Sequence, residues 1–323
     1  MAYTYSYTGD FQPGPDDRKR GVQPYKVDYR LKNAVELTMQ LGRPLLLQGE
    51  PGCGKTQLAF HLAYELGRLN KLPEGEDWPL EIWPVQSISR ARDGIYTYDA
   101  IGRLSNAQLA YLQQEESKKV SEFIKYGALG NAIRQEKDDN KAQDKRVIVL
   151  IDEIDKADID FPNDLLWVLD KQEFQITEFG SGSDAWLKAD PDRRPIIIIT
   201  SNREKELPGP FLRRCLYHFI EFPGETTLND ILAYHFPDLG GVLRSQIVKR
   251  FFQVRTNMEE RTIPGKLIST SELIDWAKAL QIFRDSDQIM EKLAEMENDL
   301  NKTPHKHVLF KSQEQFEAYQ DKD

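Results

Sequence analysis

Eight residues constrain this chain more than any others: Gly49-Glu-Pro-Gly-Cys-Gly54-Lys55-Thr56. They fit the pattern G-x-x-x-x-G-K-[ST] without exception. In such a loop the glycines let the backbone bend until successive N–H groups point at phosphate oxygens. The lysine reaches the β- and γ-phosphates, and the Ser/Thr hydroxyl takes a place on Mg²⁺. The loop needs a strand before it and a helix after it, because the helix presents its positive N-terminal end to the same anion. Both are legible. Pro44–Gln48 is a short apolar run, and Gln57–Leu69 sets Leu58, Leu62 and Leu66 on one face. Nucleotide contacts are therefore expected from Gly49, Glu50, Pro51, Gly52, Cys53, Gly54, Lys55, Thr56 and Gln57.

Three more apolar runs, Leu80–Val85, Val147–Ile151 and Ile196–Thr200, read as buried strands. The last two are nearly unbroken Val, Ile and Leu, as in strands covered by helices on both faces. A helical run, Pro162–Leu169, lies between them, and a first helix carrying Leu31, Val35, Leu37 and Met39 stops at Gly42. The pattern is α/β with a parallel sheet. Beyond about Pro223 the strands stop, and Leu228–Phe236, Gly241–Arg255 and Ser269–Phe283 read as helices, the last with a capping box at Ser269 and Glu272. Residues 284–302 are polar and weakly periodic. His307–Lys311 looks strand-like, and a final helix begins after Ser312. The expected division is an extended or mobile arm over 1–24, an α/β nucleotide-binding domain over 25–223, and a smaller helical domain with its tail over 224–323.

Val147–Ile151 ends in Asp152-Glu153, which puts two carboxylates at the edge of the sheet, where parallel-sheet sites lie. Asp152, with Thr56, is the expected holder of Mg²⁺, and Glu153 the residue that orients and polarises the attacking water. Ile196–Ile199 runs into Thr200-Ser201-Asn202. Asn202 is chosen as a catalytic partner because an amide both donates and accepts. Leu207–Cys215 carries Arg213 and Arg214, expected to act as an arginine finger on a neighbouring subunit's γ-phosphate.

The net charge of −9 speaks against a dedicated duplex binder, although Lys118, Lys119 and Lys125 leave room for a local grip on a strand. Two cysteines, Cys53 and Cys215, make no disulfide framework and fit a reducing cytoplasm. No apolar run reaches membrane-spanning length, and the start MAYTYSYTGD lacks the charge and apolar stretch of a secretory signal.

In order, these four motifs resemble the AAA+ ATPases, with Gly49–Thr56 as Walker A, Val147–Glu153 as Walker B, Asn202 as sensor 1 and Arg213, Arg214 as the finger segment. More finely, the chain is similar to the MoxR-type branch. Gly42–Gly52 resembles that branch's approach to the loop, Phe123–Gly130 its F-x-x-G-P-L segment near the ring's pore, and Glu173–Phe179 its hairpin after Walker B. The resemblance covers roughly Val27 to Leu280. It implies an α/β P-loop module with a helical lid, ATP and Mg²⁺ as cofactors, and a self-assembled hexameric ring. A protein client to remodel and a von Willebrand factor A partner are implied as well. Two positions depart from the pattern: Ala128 replaces the proline, and Ser271 stands where a sensor-2 arginine is usual, with Lys266 the nearest upstream cation. A nucleic-acid motor, a nucleotide-using subunit of a restriction system and a slow nucleotide-gated switch remain open. Tyr25–Val27 is a candidate wall for a base pocket.

Overall fold

A computed structural model describes residues 3–73, 76–113, 118–134, 145–283 and 285–320. In chain order, α1 (Pro15–Lys19) and α2 (Tyr29–Leu41) precede β1 (Leu45–Gly49), and α3 (Lys55–Leu69) follows the glycine loop. Then come β2 (Leu80–Pro84), β3 (Tyr96–Tyr98), α4 (Ala100–Gln113), β4 (Ile124–Tyr126), α5 (Ala128–Arg134) and β5 (Ile148–Asp152). Next are α6 (Phe161–Asp164), α7 (Leu166–Lys171), β6 (Glu173–Gln175), β7 (Trp186–Lys188), β8 (Ile196–Ser201), α8 (Gly209–Leu212) and β9 (Leu216–Ile220). Six helices follow: α9 (Glu225–His235), α10 (Gly241–Glu260), α11 (Thr270–Leu280), α12 (Ser286–Asn298), α13 (Lys306–Leu309) and α14 (Gln313–Ala318).

The chain forms two compact units. One gathers Met1–Phe11, Asp28–Gln48 and Leu58–Phe219; the other gathers Gln12–Val27, Gly49–Gln57 and Ile220–Asp323. The first is organised by a five-stranded parallel sheet of order β2-β5-β8-β1-β9. Its central strands include the nearly unbroken apolar runs. Every residue of Ile148–Ile151 and Ile196–Ser201 is buried, in the register Ile148↔Ile196 to Ile151↔Ile199. β1 continues the sheet with Leu46↔Ile199 and Gln48↔Ser201. Because these three neighbours run parallel, within this unit they finish on one edge, at Gln48, Asp152 and Ser201. The α/β architecture with a helical C-terminal region is thus as the sequence predicts. α2 stops at Gly42, whose φ of 62° closes the helix in the left-handed conformation that glycine adopts without steric cost.

The N-terminal residues of this unit are packed. Tyr7 is fully buried, and its hydroxyl lies 2.8 Å from His61 Nδ1. His61 Nε2 is 2.9 Å from the Phe11 carbonyl. A carbonyl can only accept, so Nε2 carries the proton and Nδ1 receives the tyrosine hydroxyl. Glu65 on α3 accepts from the Thr8 and Gly9 amides.

In the second unit the core is helical, built around Leu232, Ile247, Phe251, Trp276 and Leu293. α11 starts with the expected capping box at Ser269 and Glu272, and Ser312 caps α14 by accepting from the Gln315 amide. The polar, weakly periodic residues 284–302 contain α12, which buries Ile289, Leu293 and Met296. One expectation is corrected. His307–Lys311 is not a strand. Most of it lies in α13, entered through His305 at φ 53°.

Burial pushes the His61 imidazole down to about 4, the Phe11 hydrogen bond opposing only in part. A folded-state value below the unfolded one means that the unfolded chain binds the extra proton first, so stability falls as pH drops from about 6.5 towards 4. Urea midpoints measured across that range are expected to decline, by up to about 3 kcal/mol from this one group. His61→Gln, which keeps a donor and an acceptor without titrating there, is expected to show a shallower decline.

Candidate active site

On the first unit, the C-terminal end of β5 holds both carboxylates, and the end of β8 holds their partners. The Thr200 hydroxyl donates to Asp152 Oδ1 at 2.6 Å and accepts from the Glu153 amide at 2.8 Å. Thr200 is fully buried, so the hydroxyl is confined to this bridge. Glu153 has φ 59° and ψ 51°, a conformation that costs a non-glycine residue roughly 1–2 kcal/mol and is compensated locally by the amide's hydrogen bond. The turn aims the glutamate back along the strand end. There its carboxylate accepts from Asn202 Nδ2 at 3.0 Å and from the Lys156 ammonium. That ion pair raises the Lys156 pKa. Asp155, buried behind this group, accepts from the Glu204 amide at 2.8 Å.

The glycine loop, in the second unit, has its own set of contacts. Gly52 and Gly54 take φ of 77° and 91°, which side chains rarely tolerate. A Cβ on Gly52 would lie 2.1 Å from Ser269 Oγ, and one on Gly54 3.0 Å from the Tyr25 ring. Tyr25 is fixed by Gln12, whose amide nitrogen donates to its carbonyl at 2.7 Å. Lys55 is 6 % exposed, and its ammonium donates to the Gly49 and Glu50 carbonyls at 3.0 and 2.9 Å. These two acceptors compensate a buried cation. Glu50 is paired with Arg255 Nη2 at 2.9 Å, and Ser271 Oγ donates to the Gly52 carbonyl at 3.0 Å.

Arg213 and Arg214 form a third group, between α8 and β9. Arg43 donates to both of their carbonyls, and Arg214 Nη1 donates to Pro210 O at 3.0 Å. Lys266 is exposed in the segment before α11, with its carbonyl taken by Gln315. The structure thus joins Asp152, Glu153 and Asn202 in one network, and Gly49–Lys55 in another with Ser271.

Three residues escape sequence reasoning. Thr200 has the composition of a strand end, and only its alignment with Asp152 across β8 and β5 reveals it. Lys156 lies three residues after Glu153, a spacing that a short helical turn closes. Arg255 acts on Glu50 from 205 residues away and leaves no local signal.

Each unit carries chemistry that suits a magnesium–nucleotide pair. Asp152 on the first and the Thr56 hydroxyl on the second are hard oxygen donors, the kind of group that Mg²⁺ takes one or two of beside phosphate and water. Among the described residues no cluster of three or more His, Cys, Asp or Glu residues forms a dedicated metal cage. No described helix is long and apolar enough to cross a membrane.

A family model, "ATPase family associated with various cellular activities (AAA)", matches residues 45–223. Among solved structures, domain III of the replication initiation protein DnaA from Thermotoga maritima is similar over 89 % of this chain and 92 % of that one. Its sequence identity is 16 % and its TM-score 0.39. A search of curated proteins found no match.

Proposed function

Because the chain belongs to the family of ATPases associated with various cellular activities, we propose that it is a Mg²⁺-dependent ATP hydrolase of MoxR type that works as a ring of identical subunits to remodel a client protein. The observation that carries the hydrolytic part is the paired network at the ends of β5 and β8. Thr200 holds Asp152, and Asn202 with Lys156 holds Glu153. Two carboxylates fixed side by side by different partners suit two tasks. Asp152 and Thr56 would hold the metal, which would neutralise charge on the phosphates. Glu153 receives the proton of the attacking water, and Asn202 keeps its carboxylate aimed. Lys55 and the backbone N–H groups of Gly49–Gln57, Pro51 apart, bind the phosphates.

The finer assignment to the MoxR branch draws support from Phe123–Gly130. There β4 pairs with β3 through Tyr96↔Tyr126, and α5 begins at Ala128. Gly127 and Gly130 pack so tightly that a Cβ would fall 2.3 Å from Asp93 O and 1.8 Å from Ile95 O. Ala128 occupies the first helical position, where the branch's proline is tolerated equally well. The β6–β7 hairpin after the acidic strand adds to the same reading. A cytoplasmic setting and a von Willebrand factor A partner belong to it also.

Glu153→Gln preserves the hydrogen bond from Asn202 and removes the base. ATP binding is expected to persist while steady-state hydrolysis falls by about 10²–10⁴-fold. Turnover at the unsubstituted rate would place the base elsewhere.

Arg214, or its neighbour Arg213, is assigned the finger that acts on the adjacent subunit. Arg214→Ala is expected to bind ATP but lose about 10³–10⁵ in rate. Mixed with inactive Lys55→Ala protein, it is expected to recover part of the activity, increasingly with total concentration, since hybrid interfaces hold one good copy of each part. Co-assembly without recovery would mean that the arginine serves its own chain only.

A further inference from the structure

Two helices hold the phosphate-binding loop, and neither belongs to the four sequence motifs. Arg255 lies near the end of α10 and is 5 % exposed. Its guanidinium carbon stands 3.7 Å from the centre of the Phe222 ring, and its Nη1 donates to the Ile268 carbonyl. Nε faces Glu259 at 3.4 Å, and Nη2 bonds both oxygens of Glu50, at 2.9 and 3.1 Å. A planar cation gripped by a ring face, a carbonyl and two carboxylates has no room to swing. The second tether is Ser271 at the start of α11, on the Gly52 carbonyl. The second and fourth residues of the loop are therefore fixed to α10 and α11.

Glu50 is the loop residue where these contacts meet. Its side chain is held by Arg255, its carbonyl receives the Lys55 ammonium at 2.9 Å, and the Cys53 amide closes a turn on that same carbonyl at 3.3 Å. To engage phosphate, Lys55 must turn its ammonium away from this carbonyl, which alters the residue that Arg255 grips. On the reading that the loop binds nucleotide, we infer that Arg255 is a positioning residue for it. Through Glu50 it pre-shapes the loop for phosphate, and through the same bond the loop's occupancy reaches α10 and α11. The position that commonly supplies an arginine for this coupling is Ser271 here, and it reaches only a backbone carbonyl.

The test uses the full chain and a fluorescent, non-hydrolysable ATP analogue with Mg²⁺. Glu50→Gln, Arg255→Lys and the double variant are each expected to raise Kd about tenfold, the loss expected for one charged hydrogen bond. The double variant is expected to be no worse than either single one, because both remove the same contact. Glu50 is 43 % exposed in its side chain, so Glu50→Gln is expected to keep the wild-type melting temperature and carries the test alone if Arg255→Lys does not fold. In wild type, saturating analogue is expected to slow hydrogen exchange in α10 and α11. In Glu50→Gln at its own saturation, that slowing is expected to be lost. Kd within twofold of wild type in Glu50→Gln, additive losses in the double variant, or preserved slowing would each overturn the inference. Lys55→Ala separates the two levels. If it binds the analogue as wild type does, the nucleotide reading of the loop fails. If it does not bind while Glu50→Gln binds normally, only the role of Arg255 fails.

Discussion

One buried hydroxyl joins the two strands on which the proposed chemistry rests. Thr200 donates a hydrogen bond to Asp152 and accepts one from the Glu153 amide, so a single oxygen sets the position of both acidic residues. The strand pairing makes this possible. With Ile151 opposite Ile199, the next residue on β8 is level with Asp152. Burial of Ile148–Ile151 on β5 and of all of β8 holds this register, because those side chains are already packed. The left-handed turn at Glu153 follows from the same bridge. It places the glutamate within reach of Asn202, two residues past Thr200 on the same strand end.

The glycine loop shows the complementary strategy, with conformational freedom restricted by contacts made from outside. Its glycines permit backbone angles that no other residue adopts cheaply, and such freedom would leave the loop loose if nothing held it. Tyr25 covers Gly54, Ser271 holds Gly52, and Arg255 holds Glu50. A phosphate site is useful only if its amides already point inward before the anion arrives, because reorganisation at that moment subtracts from affinity.

Legibility in the sequence followed the locality of the physics. The loop could be read because each of its positions meets a local requirement. The central strands could be read because burial on both faces leaves only apolar residues. One edge strand is harder. β9, Leu216–Ile220, is half-exposed and mixes Tyr217 and His218 with its apolar residues, so no strand is read there from sequence. α12 is hard to read because only Ile289, Leu293 and Met296 of its thirteen residues are buried, which makes a thin core-facing stripe. Asn202 stands out by the chemistry of its amide, whereas Thr200 does not, because a threonine at a strand end is ordinary until its neighbour across the sheet is known. Tyr7 gave no sign of being core, since its partner His61 lies 54 residues on. Arg255 is the extreme case, where a contact spanning the chain's two ends of the motif order has no local pattern.

If the Thr200 bridge is the keystone of the site, removing its hydroxyl while keeping its shape should disable the chemistry and spare the fold. The most direct measurement is a Mg²⁺ titration of steady-state ATP hydrolysis in Thr200→Val beside Thr200→Ser. The serine variant, which keeps the hydroxyl, is expected to retain most activity and the wild-type Mg²⁺ midpoint. The valine variant leaves Asp152 without this donor and the Glu153 amide without its acceptor, and is expected to lose tenfold or more in rate and to need more Mg²⁺. Hydrolysis in Thr200→Val at the wild-type rate and midpoint would contradict the account.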